Sequence, residues 1–127
     1  MMKIKAIPLA LAAGWVLSAG AAQAGGDAAK GMKVFTRCLI CHTIKAGDPN
    51  RVGPNLHGLF ERQAGKAPGF NGYSEGIKAA DFTWDDAKLN DYLANPQKFS
   101  KGARMAFRVP DEQERQDVIA YLHEATK

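Results

Sequence analysis

No stretch of this sequence stays apolar for long enough to cross a bilayer. The best candidate, residues 7–19, runs for about a dozen positions, whereas a spanning helix needs roughly 20. No second long apolar run follows it, and there is no internal repeat or low-complexity tract. Charge of one sign is also lacking: 17 Lys+Arg stand against 13 Asp+Glu. Two of those cations, Lys3 and Lys5, lie ahead of the apolar run, so the remaining chain carries a formal excess of only two. Nucleic-acid binders gather many more basic residues on one face, which excludes that class. The central region shows no alternation of apolar and polar residues, so a sheet is not expected. Nor is there a nucleophile–base pairing with a substrate pocket, and an enzyme is not expected.

What is present at the start has the form of an export leader. Lys3 and Lys5 supply a basic beginning, residues 7–19 an apolar middle, and Ala22-Gln23-Ala24 the small-x-small pattern of a cleavage site. Residues 1–24 are therefore expected to be a signal peptide removed on export to the periplasm. Residues 25–127 then form one domain by length. Retention as a membrane anchor is the alternative; the shortness of the run and Pro8 count against it.

Cysteine is scarce and concentrated: Cys38 and Cys41 are the only two. In an exported chain a disulfide is one reading. A thioredoxin-like pair is another, needing a strand before it and a helix after it. Zinc is poorly served, because no second Cys/His pair follows at finger spacing. The next residue, His42, completes Cys-x-x-Cys-His, the attachment pattern of haem c. In that pattern two thiols bind the macrocycle and the adjacent imidazole reaches its iron. A metal-bound imidazole usually donates its other N–H to a carbonyl, and Gly53-Pro54 is the candidate source.

A helix is expected from Asp27, as N-cap, to about Cys38, with Met32, Phe35 and Leu39 as its apolar stripe. Glycines and prolines punctuate residues 43–72, marking a long ordered loop that needs something rigid to wrap around. Ser74 is expected to cap a short helix to about Ala80, and Thr83 a longer one over residues 84–94. Asn95-Pro96 should stop that helix, leaving residues 97–110 irregular. The last helix is expected to start at Asp111 with Glu114 closing a capping box, and to bury Val118, Ile119, Leu122 and Ala125.

The sixth iron position has three candidates. Met1 and Met2 leave with the leader, and Met32 lies too close before Cys38 to reach the opposite haem face. Met105, late in a loop between two helices, can cross to it; ordinary core packing is its alternative role. His57 and His123 are the rivals, with His123 most simply a solvent-side residue.

The segments Cys38-Leu39-Ile40-Cys41-His42-Thr43, residues 52–60, Ala67-Pro68-Gly69-Phe70, Phe82-Thr83-Trp84, residues 92–96, Met105-Ala106-Phe107 and residues 119–122 follow one another in a familiar order. In them the chain resembles a class I cytochrome c of the branch holding mitochondrial cytochrome c and bacterial cytochrome c2. The resemblance implies an all-α fold, with crossing N- and C-terminal helices and loops wrapped around one covalent haem c. It implies Cys38 and Cys41 as attachment residues and His42 and Met105 as axial ligands. Gly31 would sit where the terminal helices cross, Pro54 would offer its carbonyl to His42, and Arg62, Tyr73 and Trp84 would serve a propionate. Tyr92 would lie beside the methionine sulfur and Phe107 would close the haem edge. Arg37, Arg51, Lys98 and Arg104, with Lys101 nearby, match a basic docking ring, leaving acids such as Asp111, Glu112 and Asp117 largely on the opposite side.

The function so implied is that of a monomeric periplasmic electron carrier in a respiratory or photosynthetic chain. It would work between a redox-protein donor and acceptor, membrane-bound complexes with acidic docking patches, and act on no small-molecule substrate. The chain departs from the family pattern before Met105. Lys101 and Ala103 stand where a proline and a threonine are usual, which removes two restraints on the loop.

Overall fold

The computed structural model describes Gly14 and residues 25–127. The expected signal peptide, residues 1–24, lies outside the described residues except for Gly14. Among the described residues no helix is long and apolar enough to cross a membrane.

Helix α1, Ala28–Phe35, starts where the Asp27 carboxylate accepts the Lys30 N–H at 3.1 Å. It ends three residues earlier than expected. The Thr36 hydroxyl donates to the Lys33 carbonyl at 2.7 Å, and the chain tightens into a 3-10 turn over Cys38–Ile40. The expected stripe is therefore wrong in two of three positions. Phe35 is buried, but Met32 is 53% and Leu39 43% exposed, and the buried face is Gly31, Val34 and Phe35. Leu39 lies beyond the helix end, and Met32 points away from the face that Gly31 opens.

Residues 43–72 contain a single 3-10 turn, Leu59–Glu61, and otherwise loop. Helix α2, Glu75–Lys78, is capped by the Ser74 hydroxyl as expected. Helix α3, Asp86–Ala94, is capped by Asp85 and not by Thr83. The Asp85 carboxylate accepts the Lys88 N–H at 2.8 Å, while Thr83 is held in an isolated bridge to Gln63. Asn95-Pro96 does end α3, and it also begins α4, Pro96–Phe99, because the Asn95 side chain accepts from Lys98 N–H and proline suits the first helical position. Helix α5, Glu112–Ala125, is capped by Asp111. Its Glu114 carboxylate does not close the capping box, since it pairs with Arg37 at 2.9 Å. Among the described residues there is no strand, so the architecture is all-α.

The core joins Val34 and Phe35 of α1, Leu59, Leu89 and Leu93, Val109, and Val118, Ile119 and Leu122 of α5. Helix α1 makes its main packing against α5, and Gly31 sets how close they come. A Cβ there would lie 1.9 Å from the Asp117 carbonyl oxygen and 2.8 Å from Tyr121 Cβ. Next to the crossing, the Phe35 and Tyr121 rings meet at 5.3 Å. The chain before α1 is fastened to the same helix: Asp27 N–H donates to the buried Asp117 carboxylate at 2.8 Å. Gln113 donates at 2.9 Å to that carboxylate and to the Gly25 carbonyl. His123 is not merely solvent-facing. It stacks on Phe60 at 3.7 Å, bonds the Asp86 carboxylate, and lines a groove of about 540 Å³ with Gly25, Glu112 and Gln116. Neither cysteine, His42 nor Met105 lines that groove.

Candidate haem site

The attachment segment leaves α1 directly. The N–H groups of Cys41 and His42 both donate to the Cys38 carbonyl, at 3.1 and 2.9 Å, so both thiols and the imidazole share one tight turn. The cysteines are free and half-buried, not joined in a disulfide. Burial pushes the Cys38 thiol up to about 11, against a lowering by Arg37 and with a further rise from Cys41. A thiol–disulfide enzyme needs the opposite, a thiol depressed toward or below neutral. Among the described residues no three His, Cys, Asp or Glu side chains are grouped to cage a metal ion. The segment before Cys38 is helix α1 and not the strand that a thioredoxin-like pair needs.

His42 is oriented from two sides. Its Nδ1 lies 2.7 Å from the Pro54 carbonyl oxygen, which can only accept, so Nδ1 carries the hydrogen. Burial lowers its pKa below the usual imidazole value, partly offset by that same bond. The neutral ring therefore presents a bare Nε2 lone pair, the state a metal ligand requires. Gly53 forms the other side. A Cβ at Gly53 would sit 2.4 Å from His42 Cε1 and 2.8 Å from Nε2, so the ring lies against bare backbone. The loop bearing both residues is tied to the attachment turn by Gly53 N–H donating to the Cys41 carbonyl at 2.8 Å.

Of the side chains expected around a propionate, Arg62 and Tyr73 lie near one another, and Trp84 packs on Tyr92. Arg62 donates to the carbonyls of His57 and Asn55 at 3.1 and 3.0 Å, fixing the chain just after Pro54. Burial lowers the Arg62 pKa, and nearby Tyr73 partly restores it. The Tyr73 hydroxyl oxygen accepts from Ala67 N–H at 3.0 Å, which leaves its O–H free to donate. Burial, with a contribution from Tyr73, pushes the Tyr92 phenol up to about 12, so it remains a neutral donor across the physiological range. Trp84 and Tyr92 meet edge-on at 5.2 Å, and Phe82 and Phe99 complete an aromatic wall. An apolar wall, inward phenol donors and a bare imidazole nitrogen beside two thiols suit a covalent haem.

Met105 is half-buried and packs on the core together with Cys38 and Trp84. Phe107, 40% exposed, lies under the Arg37 guanidinium at 5.8 Å, which brings the methionine segment against the residue preceding Cys38. His57 and His123 are held elsewhere: His57 within the Arg62-pinned loop, His123 on Phe60.

The expected docking cations differ in their freedom. Arg37 is paired with Glu114, and Arg51 donates to the Leu39 carbonyl at 2.8 Å. Lys98 and Arg104 are exposed and make no ion pair among the described residues. The acids do not all lie opposite, since Glu114 reaches the ring and Asp117 is buried as an anchor. Sequence reading named Gly53 beside Pro54 but missed its packing on the imidazole ring, and it missed Phe99 and Gln97, which depended on seeing α4.

The comparisons with known proteins agree with this geometry. A family model described as cytochrome c matches residues 28–126. The chain is 45% identical over 104 residues to cytochrome c of Kluyveromyces lactis, covering 80% of this chain and 94% of that one. To cytochrome c of Arabidopsis thaliana it is also 45% identical over 104 residues, covering 80% and 92%. To that of Chlamydomonas reinhardtii it is 44% identical over 112 residues, covering 87% and 99%. A match over nearly the whole described domain, on an all-α fold with a Cys-x-x-Cys-His turn, places the chain in the cytochrome c family, class I and mitochondrial-type, as an electron carrier with one covalent haem c that works with other redox proteins.

Proposed function

We propose that this protein is a soluble, monomeric periplasmic carrier of single electrons, with haem c held by thioethers to Cys38 and Cys41 and its iron held by His42 Nε2 and Met105. The observation that carries the ligand assignment is the Nδ1–H bond from His42 to the Pro54 carbonyl, which fixes the tautomer that leaves Nε2 available. When bound, the haem supplies a centre whose iron alternates between two oxidation states. The chain's part would be to hold His42 and Met105 still, so that little reorganises when charge changes. Arg62 fixes the proximal loop, Gly53 and Pro54 fix the imidazole, and the aromatic wall excludes water. A methionine ligand and a buried centre both favour the reduced state. Tyr73 and Trp84 would donate to a propionate, and the Tyr92 hydroxyl would lie beside the methionine sulfur.

Export rests on the leader pattern of residues 1–24. Intact mass of the purified protein should equal residues 25–127 plus one haem; a mass without haem overturns the attachment, and one including residues 1–24 overturns cleavage. Met105→Ala should abolish the far-red sulfur-to-iron absorption and lower the potential. Retention of that band in Met105→Ala overturns the ligand assignment. The donor and acceptor are proposed to be membrane-bound respiratory or photosynthetic complexes with acidic patches facing Arg51, Lys98, Arg104 and Arg37.

A second docking mode has its own support. Ile40 is 73%, Val52 81% and Phe107 40% exposed, while the cation over the Phe107 ring, Arg37, is paired with Glu114. Electron transfer that slows steeply with salt supports the charged ring, and transfer indifferent to salt supports apolar contact.

A further inference from the structure

Hydrogen bonds anchor the methionine segment at two points, and among the described residues none holds residues 104–108 between them. At its far end Val109 is fully buried, and its N–H donates to the Leu93 carbonyl at 2.8 Å. Arg115 reinforces that end by donating to the carbonyls of Val109 and Pro110 at 2.9 and 2.7 Å. At its near end Ala103 is 4% exposed, and its N–H donates to the Ser100 carbonyl at 2.9 Å. The Ala103 carbonyl is held by one group, the side-chain amide of Gln97. Ala103 precedes Met105 by two residues, so whatever fixes the Ala103 peptide fixes the direction from which the sulfur approaches.

Gln97 is well founded for such a task. It stands on α4 between Pro96, fully buried, and Phe99, which is packed into the aromatic wall with Trp84 and Tyr92. Asn95 caps that helix, so the backbone from which the amide reaches is rigid. Lys101 and Ala103, on the loop itself, make no side-chain hydrogen bond among the described residues. An amide reaching across from α4 supplies a restraint of a different kind.

We propose that Gln97 is a positioning residue for the Met105 ligand, acting through its hydrogen bond to the Ala103 carbonyl. This rests on Met105 being the axial ligand. Displacement of the sulfur by an outside ligand requires the near end of the segment to swing out, which breaks the Gln97–Ala103 bond. Removing the bond should therefore raise the open fraction about five- to tenfold, the ratio that one ordinary hydrogen bond commands.

The test uses the ferric haem-loaded protein at neutral pH with imidazole as the probe, following loss of the far-red sulfur-to-iron band. Gln97→Met keeps length and removes the donor; Gln97→Glu replaces the donor with a carboxylate that repels the carbonyl. Both should bind imidazole about five- to tenfold more tightly than the parent, with Gln97→Glu the greater. Gln113→Met is the control: it loses the bonds to Gly25 and Asp117 and should lower the unfolding midpoint without changing imidazole affinity. Unchanged affinity in both Gln97 variants, or an equal change in Gln113→Met, overturns the proposal. A parent protein without the far-red band overturns Met105 ligation and this inference together, whereas a present band with unresponsive Gln97 variants overturns this inference alone.

Discussion

Adding a single methyl group at Gly53 should loosen the grip on His42, and the structure fixes by how much. The new Cβ would begin 2.4 Å from Cε1 and 2.7 Å from Nδ1 of the imidazole. Carbon atoms in contact prefer separations of about 3.5–4.0 Å, so a gap of about 1 Å must open. The ring is covalently placed by the turn that starts at Cys38, and its Nδ1 is bonded to Pro54, the residue immediately after Gly53. The three ring distances place that Cβ over the ring face, so a shift of about 1 Å along the ring normal bends the in-plane 2.7 Å bond and stretches it only to about 2.9 Å. Bending that bond costs at most about 1 kcal/mol. Overpacking costs about 1–3 kcal/mol, so Gly53→Ala should destabilise by about 1–4 kcal/mol in all. In guanidinium chloride, where a domain of this size loses about 2–6 kcal/mol per molar, the midpoint should fall by roughly 1 M. Unfolding of the holoprotein followed by both far-ultraviolet dichroism and haem absorption gives the number. A midpoint within about 0.3 M of the parent, with an unchanged haem spectrum, would refute the claim that Gly53 is there for the imidazole.

Gly31→Ala should be costlier, more than about 4 kcal/mol, because the obstacle is the Asp117 backbone carbonyl at 1.9 Å and cannot rotate aside; yield and midpoint of the holoprotein measure it. Asp117 has its folded pKa lowered, first by the Asp27 N–H and then by Gln113, so its contribution is present above the ordinary carboxylate range and lost as pH falls through the folded value. Asp117→Asn should thus cost about 1 kcal/mol near neutral pH and progressively less in acid, read from urea midpoints across that range. Arg62→Ala frees the carbonyls of Asn55 and His57 and should cost about 2 kcal/mol, with faster amide exchange over residues 55–58 and little change around α5.

Much of this was legible in residues before any coordinates. Asp27, Ser74 and Asp111 announced three helix starts because a short acceptor before an amphipathic run has few other uses. The Cys-x-x-Cys-His turn and the Pro54 carbonyl were legible for the same reason, since a metal-bound imidazole needs its second nitrogen occupied. The errors share a cause as well. Thr83 and Asp85 are both good caps, and only the bridge to Gln63 decides between them. Leu39 looked like core because periodicity assumes that the helix continues, and it stops at Phe35. Met32 looked like core because an apolar spacing does not show that a glycine, Gly31, marks the buried face. Glu114 and His123 were assigned by local pattern, but each bonds a group far away in sequence, Arg37 and Asp86. Arg37 looked like a free docking cation for that same reason. Long-range pairing is where the chain's own grammar stops.

The crossing of α1 on α5 has a consequence for how the binding turn comes to exist at all. Asp27 and Asp117 are 90 residues apart in sequence, and Arg37 and Glu114 are 77 apart. An eight-residue helix such as α1 is not stable alone, since isolated helices shorter than about 12–15 residues are marginal in water. Helix α1 therefore becomes ordered only once α5 has arrived. The turn carrying Cys38, Cys41 and His42 hangs from its end, with Arg37 N–H on the Val34 carbonyl. A nascent chain lacking its last segment would present both thiols and the imidazole on a pliable strand, open to whatever machinery joins them to the macrocycle. Completion of the chain then closes a clasp, and the same five residues pass from a flexible substrate to a rigid seat.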